Sequence, residues 1–212
     1  MAEGIVLLHG IFRTKRSMRR LEKFLQQHGY DTLNITYKST RYAIENIIDA
    51  VHPDIEQFAA GKTKLHFIGY SMGGLVIRAY AHKYLLHNMG RVVMLGTPNK
   101  GSQVADLVRN LWLYKKLYGP AGQQLFTRQD VFQHIFGELN FELGSIAGIS
   151  WLDPISSLVI GLPNDGKVSV ESTKLDGMKD HLVIRCAHTF FPVNKTAWRQ
   201  TLHFLQHGFF VR

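Results

Sequence analysis

Lys64-Leu65-His66-Phe67-Ile68-Gly69-Tyr70-Ser71-Met72-Gly73-Gly74-Leu75-Val76 is the stretch on which the reading turns. Its first five residues form a short apolar run of strand character. Leu75, Val76, Ala79 and Tyr80 then repeat at helical spacing. Ser71 therefore falls where a strand becomes a helix, inside the pattern G-x-S-x-G. Side chains two residues either side of the serine would clash in so tight a turn, and Gly69 and Gly73 remove them. The turn lifts the Ser71 hydroxyl above a sheet, and the helix N-terminus behind it offers backbone N–H groups to a developing negative charge. Two glycines and a serine in five positions also recur by chance. The strand before and the helix after are what make the pattern informative.

Working outward, the same alternation continues. Gly4 to His9 is a continuous apolar run, as expected of a strand covered on both faces of a parallel sheet. Ser17 is placed to cap a helix through Met18, Leu21, Phe24 and Leu25, with Gly29 after its end. Tyr30 to Tyr37 reads as a second strand. Thr40 is placed to cap a helix through Ile44, Ile47, Ile48 and Val51, which Pro53 should kink or break. The elbow helix is expected to run to about His87, and Arg91 to Leu95 makes a fourth strand. Farther on, Val104 to Trp112 is amphipathic, helical character returns at Val131 to Phe136, and Phe141 to Ile149 contains a fifth strand. His181 to Cys186 is the last strand, and a final helix starts at Asn194 or Thr196 and is closed by Gly208. Strand and helix in turn predict an α/β fold, a mostly parallel sheet of about six strands with helices on both faces. We expect one domain over residues 1–212, with 103–162 a candidate partial lid or cap insertion.

The chain has 212 residues, 45% of them hydrophobic, enough for one domain with a substantial core. Charged residues at 19% are too few for a disordered chain. Cys186 is the only cysteine, so no internal disulfide can form. The N-terminus lacks a basic stretch followed by an apolar one, and no apolar run reaches spanning length. The expected location is the cytoplasm. Lys and Arg number 25 against 16 Asp and Glu, a net of +9, with a cluster at Arg13, Lys15, Arg16, Arg19 and Arg20. That balance favours weak contact with an anionic membrane surface or an acidic substrate. No aromatic-interleaved basic motif of the nucleic-acid kind is present, so no specific nucleic-acid partner is expected, and no obligate protein partner is evident. Metal-ligand spacing and a phosphate-cradling glycine loop are also absent.

A serine hydroxyl needs a base, and the base an orienting carboxylate. In strand–turn–helix sites of this kind both follow the serine in the chain, acid before histidine, in loops beyond the carboxyl ends of later strands. His188, just past the last strand, is the one histidine so placed. His181 opens that strand at the wrong end, and His82, His87, His203 and His207 fall on helices. Asp165, in the turn Pro163-Asn164-Asp165-Gly166, is the first choice of acid, although Asp-Gly is also a common turn dipeptide. Asp153 is the second choice. Met72, after the nucleophile, supplies one oxyanion amide. The loop His9-Gly10-Ile11-Phe12 should supply the other, from Ile11 or alternatively Phe12. Cys186 lies inside an apolar strand and reads as a buried, inert thiol. Phe12, Trp151 and Leu162 are candidates for the wall of an acyl pocket, although such apolar residues also serve simply to cover a sheet.

Five segments in order carry a resemblance: Val6 to Ile11 (V-L-L-H-G-I), Gly69 to Gly74 (G-Y-S-M-G-G), Leu95 to Ser102 (L-G-T-P-N-K-G-S), Asn164 to Val168 (N-D-G-K-V) and Ala187 to Thr189 (A-H-T). Together they span nearly the whole chain, and it resembles the small bacterial lipase and esterase branch of the α/β-hydrolase superfamily. The resemblance implies a minimal α/β-hydrolase fold and a triad of Ser71, Asp165 and His188, with Ile11 and Met72 as oxyanion donors. It further implies a serine hydrolase cleaving small-molecule or lipid carboxylic esters through an acyl-enzyme, with no cofactor. Asn99 stands where such lipases often have histidine, and no disulfide or calcium site of the secreted lipases is evident. A phospholipase or acyl-thioesterase acting on an anionic substrate is the alternative, and a non-catalytic binding module on the same fold is the alternative of another kind.

Overall fold

The computed structural model describes residues 3–101, 119–124, 135–150 and 163–212. Six strands, β1 (Gly4–Leu8), β2 (Asp31–Ile35), β3 (Leu65–Tyr70), β4 (Met89–Leu95), β5 (Leu143–Ile149) and β6 (Asp180–Arg185), form one sheet in the order β2-β1-β3-β4-β5-β6. Every pairing among them is parallel. Helices α1 (Lys15–Gln27), α2 (Ile44–Ala59), α3 (Met72–Lys83) and α4 (Lys195–His207) pack on it.

The continuous apolar strands divide their side chains between two cores. Val6, Leu8, Phe67, Val92 and Met94 point to the face where α2 and α3 contribute Ile44, Ile47, Val51, Leu75 and Val76. Their sequence neighbours Ile5, Leu7, Ile68, Val93 and Leu95 point to the other, with Met18, Leu21 and Leu25 of α1 and Phe204 and Leu205 of α4. This is the period-2 alternation of a strand, apolar in both phases because helices cover both faces. The chain runs outward from β1 to β2, then crosses back to β3 on the other side of β1. The crevice beyond the carboxyl ends of β1 and β3 is therefore the topological switch point, where ligands of such sheets bind.

Several helix boundaries differ from expectation. Thr14, not Ser17, stands before α1, and the Ser17 hydroxyl donates to the Thr14 carbonyl at 2.8 Å. Thr40 does not cap α2. The helix starts at Ile44, whose N–H donates at 2.7 Å to the side-chain oxygen of Gln124, so the cap comes from 80 residues downstream. Pro53 does not break α2, which runs through it to Ala59. The proline is exposed, so water can serve the carbonyl that its missing N–H leaves unbonded. The elbow helix stops at Lys83, four residues short of His87. α4 behaves as read: Asn194 accepts the Ala197 N–H at 2.9 Å, and Gly208 closes the helix at φ 81°.

The amphipathic stretch at 104–112, most of the one at 131–136, and Asp153, Trp151 and Leu162 lie outside the described residues. Within the interval 103–162, residues 143–149 are β5 and belong to the sheet. Among the described residues no helix is long and apolar enough to cross a membrane.

Candidate active site

Ser71 sits between the last residue of β3 and the first of α3 with φ 54° and ψ −124°, a backbone region that side-chain-bearing residues rarely adopt. Such strain costs about 1–3 kcal/mol. Ile5, Val6, Leu7 and Leu8 of the adjoining strand are fully buried, and each such side chain contributes about 1.5–3 kcal/mol, so local packing outweighs it. The glycines make the turn sterically possible. A Cβ on Gly69 would stand 2.5 Å from the Gly74 backbone, and one on Gly73 would stand 2.2 Å from the Leu8 carbonyl oxygen. Gly74, which the sequence reading left without a role, is constrained as tightly: its Cβ would lie 2.2 Å from Thr97 Oγ1. That hydroxyl donates to the Ser71 carbonyl at 3.0 Å, and the Ser71 N–H donates to the Leu95 carbonyl at 2.9 Å, so β4 and its exit loop hold the strained turn from both sides.

His188 opens a short 3₁₀ turn, His188–Val193, just past β6. Its Nε2 lies 3.0 Å from Ser71 Oγ and its Nδ1 2.7 Å from Asp165 Oδ2. The carboxylate facing Nδ1 assigns the proton there, which leaves Nε2 to accept from the serine. The structure thus brings Ser71, Asp165 and His188 together at the carboxyl ends of β3, β5 and β6. Asp165 Oδ1 accepts the N–H groups of Val168 at 2.8 Å and Lys167 at 3.0 Å, so the turn that the Asp-Gly pair builds also aims its acid. The His188 N–H donates to the Asp165 carbonyl at 2.9 Å, tying the two loops at the backbone. Room for the acid comes from Gly148, whose Cβ would stand 2.9 Å from Asp165 Cβ.

Two supports had no signal in the local pattern. The Tyr70 hydroxyl donates to the His188 carbonyl at 3.1 Å across 118 residues, and burial raises its phenol pKa above the ordinary value. Arg78, on α3 and almost fully buried, donates to the Asn99 carbonyl at 3.0 Å, and Asn99 Nδ2 donates to the Thr173 carbonyl at 3.0 Å. Burial lowers the Arg78 guanidinium to about 10. The chain from α3 through Asn99 to the 3₁₀ turn Glu171–Thr173 braces the loop that carries Asp165. Asn99 is therefore a structural link here.

The Met72 N–H is the first of α3 and one of the donors a helix N-terminus leaves without an intrahelical acceptor. Ile11 follows Gly10, whose Cβ would stand 3.1 Å from Ser71 Cβ, so this loop passes directly over Ser71. The Phe12 N–H donates to Ser39 Oγ at 3.2 Å, whereas the Ile11 amide has no protein acceptor among the described residues. His9 is fully buried and stacked on Tyr37 at 4.1 Å. Its Nε2 accepts the Tyr37 N–H at 3.3 Å and its Nδ1 lies 2.8 Å from the Gly10 carbonyl, which makes it a support for the same loop. Cys186 is buried, and burial pushes its thiol up to about 11. Among the described residues no group of His, Cys, Asp and Glu could hold a metal ion.

Residues 4–138 match the model of the palmitoyl protein thioesterase family. The chain belongs to that family. Among curated relatives, the lysosomal thioesterase PPT2 of Mus musculus is 27% identical over 146 residues, 57% of this chain and 44% of the relative. Palmitoyl-protein thioesterase 3 of Dictyostelium discoideum is 26% identical over 120 residues, 53% of this chain and 42% of the relative. The matches thus span less than half the length of these curated relatives. Among solved structures, the Bacillus licheniformis lipase BlEst2 in its propeptide form superposes with a TM-score of 0.77 at 20% identity, covering 96% of this chain and 50% of that one. The metagenomic carboxyl esterase MGS0156 gives 0.67 at 16% identity, covering 88% and 64%. Family and neighbours agree on an α/β-hydrolase fold, and this palmitoyl protein thioesterase family member keeps it with a six-stranded, all-parallel sheet.

Proposed function

We propose that the chain is a serine acyl hydrolase that cleaves acyl esters through a covalent intermediate on Ser71. The observation that carries this reading is the continuous hydrogen-bond path from Asp165 Oδ2 through His188 to Ser71 Oγ, at 2.7 and 3.0 Å. His188 Nε2 takes the hydroxyl proton as Ser71 Oγ attacks the acyl carbonyl. The Ile11 and Met72 amides face the oxyanion that forms, each worth about 3 kcal/mol in comparable sites. Asp165 keeps the imidazole in the right tautomer and steadies the imidazolium. His188 then returns the proton to the departing alcohol, and water, activated by the same imidazole, releases the acid and restores the serine.

A second reading, hydrolysis of acyl thioesters, is favoured by the family to which the chain belongs. The chemistry is shared up to the leaving group. A thiol ionises near pH 8.5 and leaves without the proton an alcohol needs, so a thioester leans less on His188 as acid.

Incubation with a fluorophosphonate probe, followed by mapping of the adduct, tests the shared mechanism. Labelling is expected at Ser71 and is lost in Ser71→Ala; folded protein left unlabelled would remove the reading. Comparing an ester and a thioester of the same acyl chain, over a series of chain lengths, decides between the two substrates. Ser71→Ala is the blank, and turnover surviving in it would assign the activity to another group.

A further inference from the structure

The charges of this molecule are sorted along its sheet. At the amino ends of the strands, cations are paired with carboxylates: Lys62 with Asp31 at 2.7 Å, Arg91 with Glu142 at 2.7 Å, Lys179 with Glu142, and Arg212 with Asp180 at 2.6 Å. At the carboxyl ends the pattern inverts. Arg13, Lys15, Arg16, Lys38, Arg41 and Lys195 stand exposed on the loops after β1 and β2 and on the first turns of α1 and α4, and none has a carboxylate within ion-pair distance among the described residues. Among the described residues, the acidic groups at this edge are already engaged. Asp165 is buried against His188, Glu171 lies between Lys100 and Lys174, and Glu45 accepts from Gln124. Among the described residues, six exposed cations without an ion-pair partner therefore lie on the edge that carries Ser71.

The same edge exposes apolar side chains. Phe12 is 52% exposed, Phe190 53%, Tyr42 44% and Val193 39%. They share one surface with the cations: Lys38 stands 5.9 Å from the Tyr42 ring, Phe12 is held to Ser39 by its amide, and α1 packs against the 188–193 turn. Arg13 is close enough to Tyr70, whose hydroxyl holds His188, to act on its phenol electrostatically.

We propose that this edge is a docking surface for an anionic lipid bilayer, seating the serine against the membrane that presents its acyl substrate. Cations spread over two loops and two helix starts match a field of headgroups better than one small soluble anion. The aromatic rings among them fill the layer between headgroup and acyl chain, where rings with one wet side are favoured. The proposal rests on the acyl-hydrolase reading only in naming what the membrane supplies. The docking itself needs no turnover.

Co-sedimentation with vesicles of phosphatidylcholine alone, and of phosphatidylcholine with phosphatidylserine, tests it. Binding is expected to the second only and to weaken as salt is raised. Each basic side chain near an anionic surface is worth about fivefold in partitioning, or ~1 kcal/mol. The combined variant Lys15→Gln, Arg16→Gln, Lys38→Gln, Lys195→Gln is therefore expected to bind several-hundredfold more weakly while hydrolysing a soluble short-chain ester at the unaltered rate. A control with Lys23, Lys62, Lys83 and Lys179 changed to Gln removes the same charge elsewhere and is expected to keep most of the binding. Equal losses in the two variants, equal binding to both vesicle types, or duplex DNA competing as well as anionic vesicles at the same salt would each overturn the proposal. Ser71→Ala should bind vesicles as the unaltered protein does, which separates a failure of docking from a failure of the proposed chemistry.

Discussion

At the scale of single residues, the site is a case of environment assigning roles to ordinary groups. Asp165 is held by two backbone N–H groups on one oxygen and by His188 on the other. On the proposed mechanism its first task is to fix which imidazole nitrogen carries the proton. Asp165→Asn keeps the volume and the turn but replaces the acceptor facing His188 Nδ1 with an amide that can donate. We expect kcat on esters to fall by about 10⁴-fold with the fold intact, measured by steady-state kinetics beside circular dichroism. A fall of less than tenfold would mean that another carboxylate orients the base. The placement of His188 beside Ser71 could be read from the sequence because the loops after parallel strands gather at one edge of the sheet. Tyr70 could not: its hydroxyl meets a carbonyl 118 residues away, and nothing near Tyr70 in the chain records that.

At the scale of elements, β1, β3 and β4 were legible because strands buried on both faces are mainly apolar in both phases, and the elbow was legible because its glycines answer to steric contacts. The start of α2 was misread because its cap comes from elsewhere. Thr40 has the chemistry of a cap, yet the Ile44 amide is met by Gln124. A local rule cannot see a partner 80 residues away. Gln124 also donates to Glu45 at 2.7 Å, so one side chain closes the first turn of α2 twice. Gln124→Ala should lower stability by about 1 kcal/mol, the usual cost of a lost helix cap, read as a shift in the urea midpoint with unchanged slope. An unshifted midpoint would show that water replaces the cap without loss.

At the scale of the whole molecule, burial sets the response to acid. The imidazoles of His9, His66 and His181 all sit below their ordinary value of 6.5, because burial penalises the charged form. Glu3 beside His66 and Asp180 beside His181 pull the other way but are the lesser effect. Above about pH 6.5 the folded and unfolded chains both carry these groups neutral, and their contribution is complete. As pH falls from there through the depressed folded values, the unfolded chain binds protons first, and stability drops. Urea midpoints should therefore be level from about pH 8 to 7 and decline toward pH 5, and His66→Gln should soften the decline. A profile flat down to about pH 5 would contradict the burial of these three rings.

The pairing of Ser71 with His188 spans 117 residues, and the carboxylate between them belongs to a third segment tied to the histidine by a main-chain bond. On the proposed mechanism, no shorter stretch contains a working fragment. On that mechanism, a nascent chain emerging without its final strand lacks His188 and should be inert. Parallel sheets assemble slowly because distant segments must meet before either gains from contact, so recovery of turnover during refolding should trail the recovery of helical signal. Catalysis in this molecule would then serve as a clock for the last event of its own assembly.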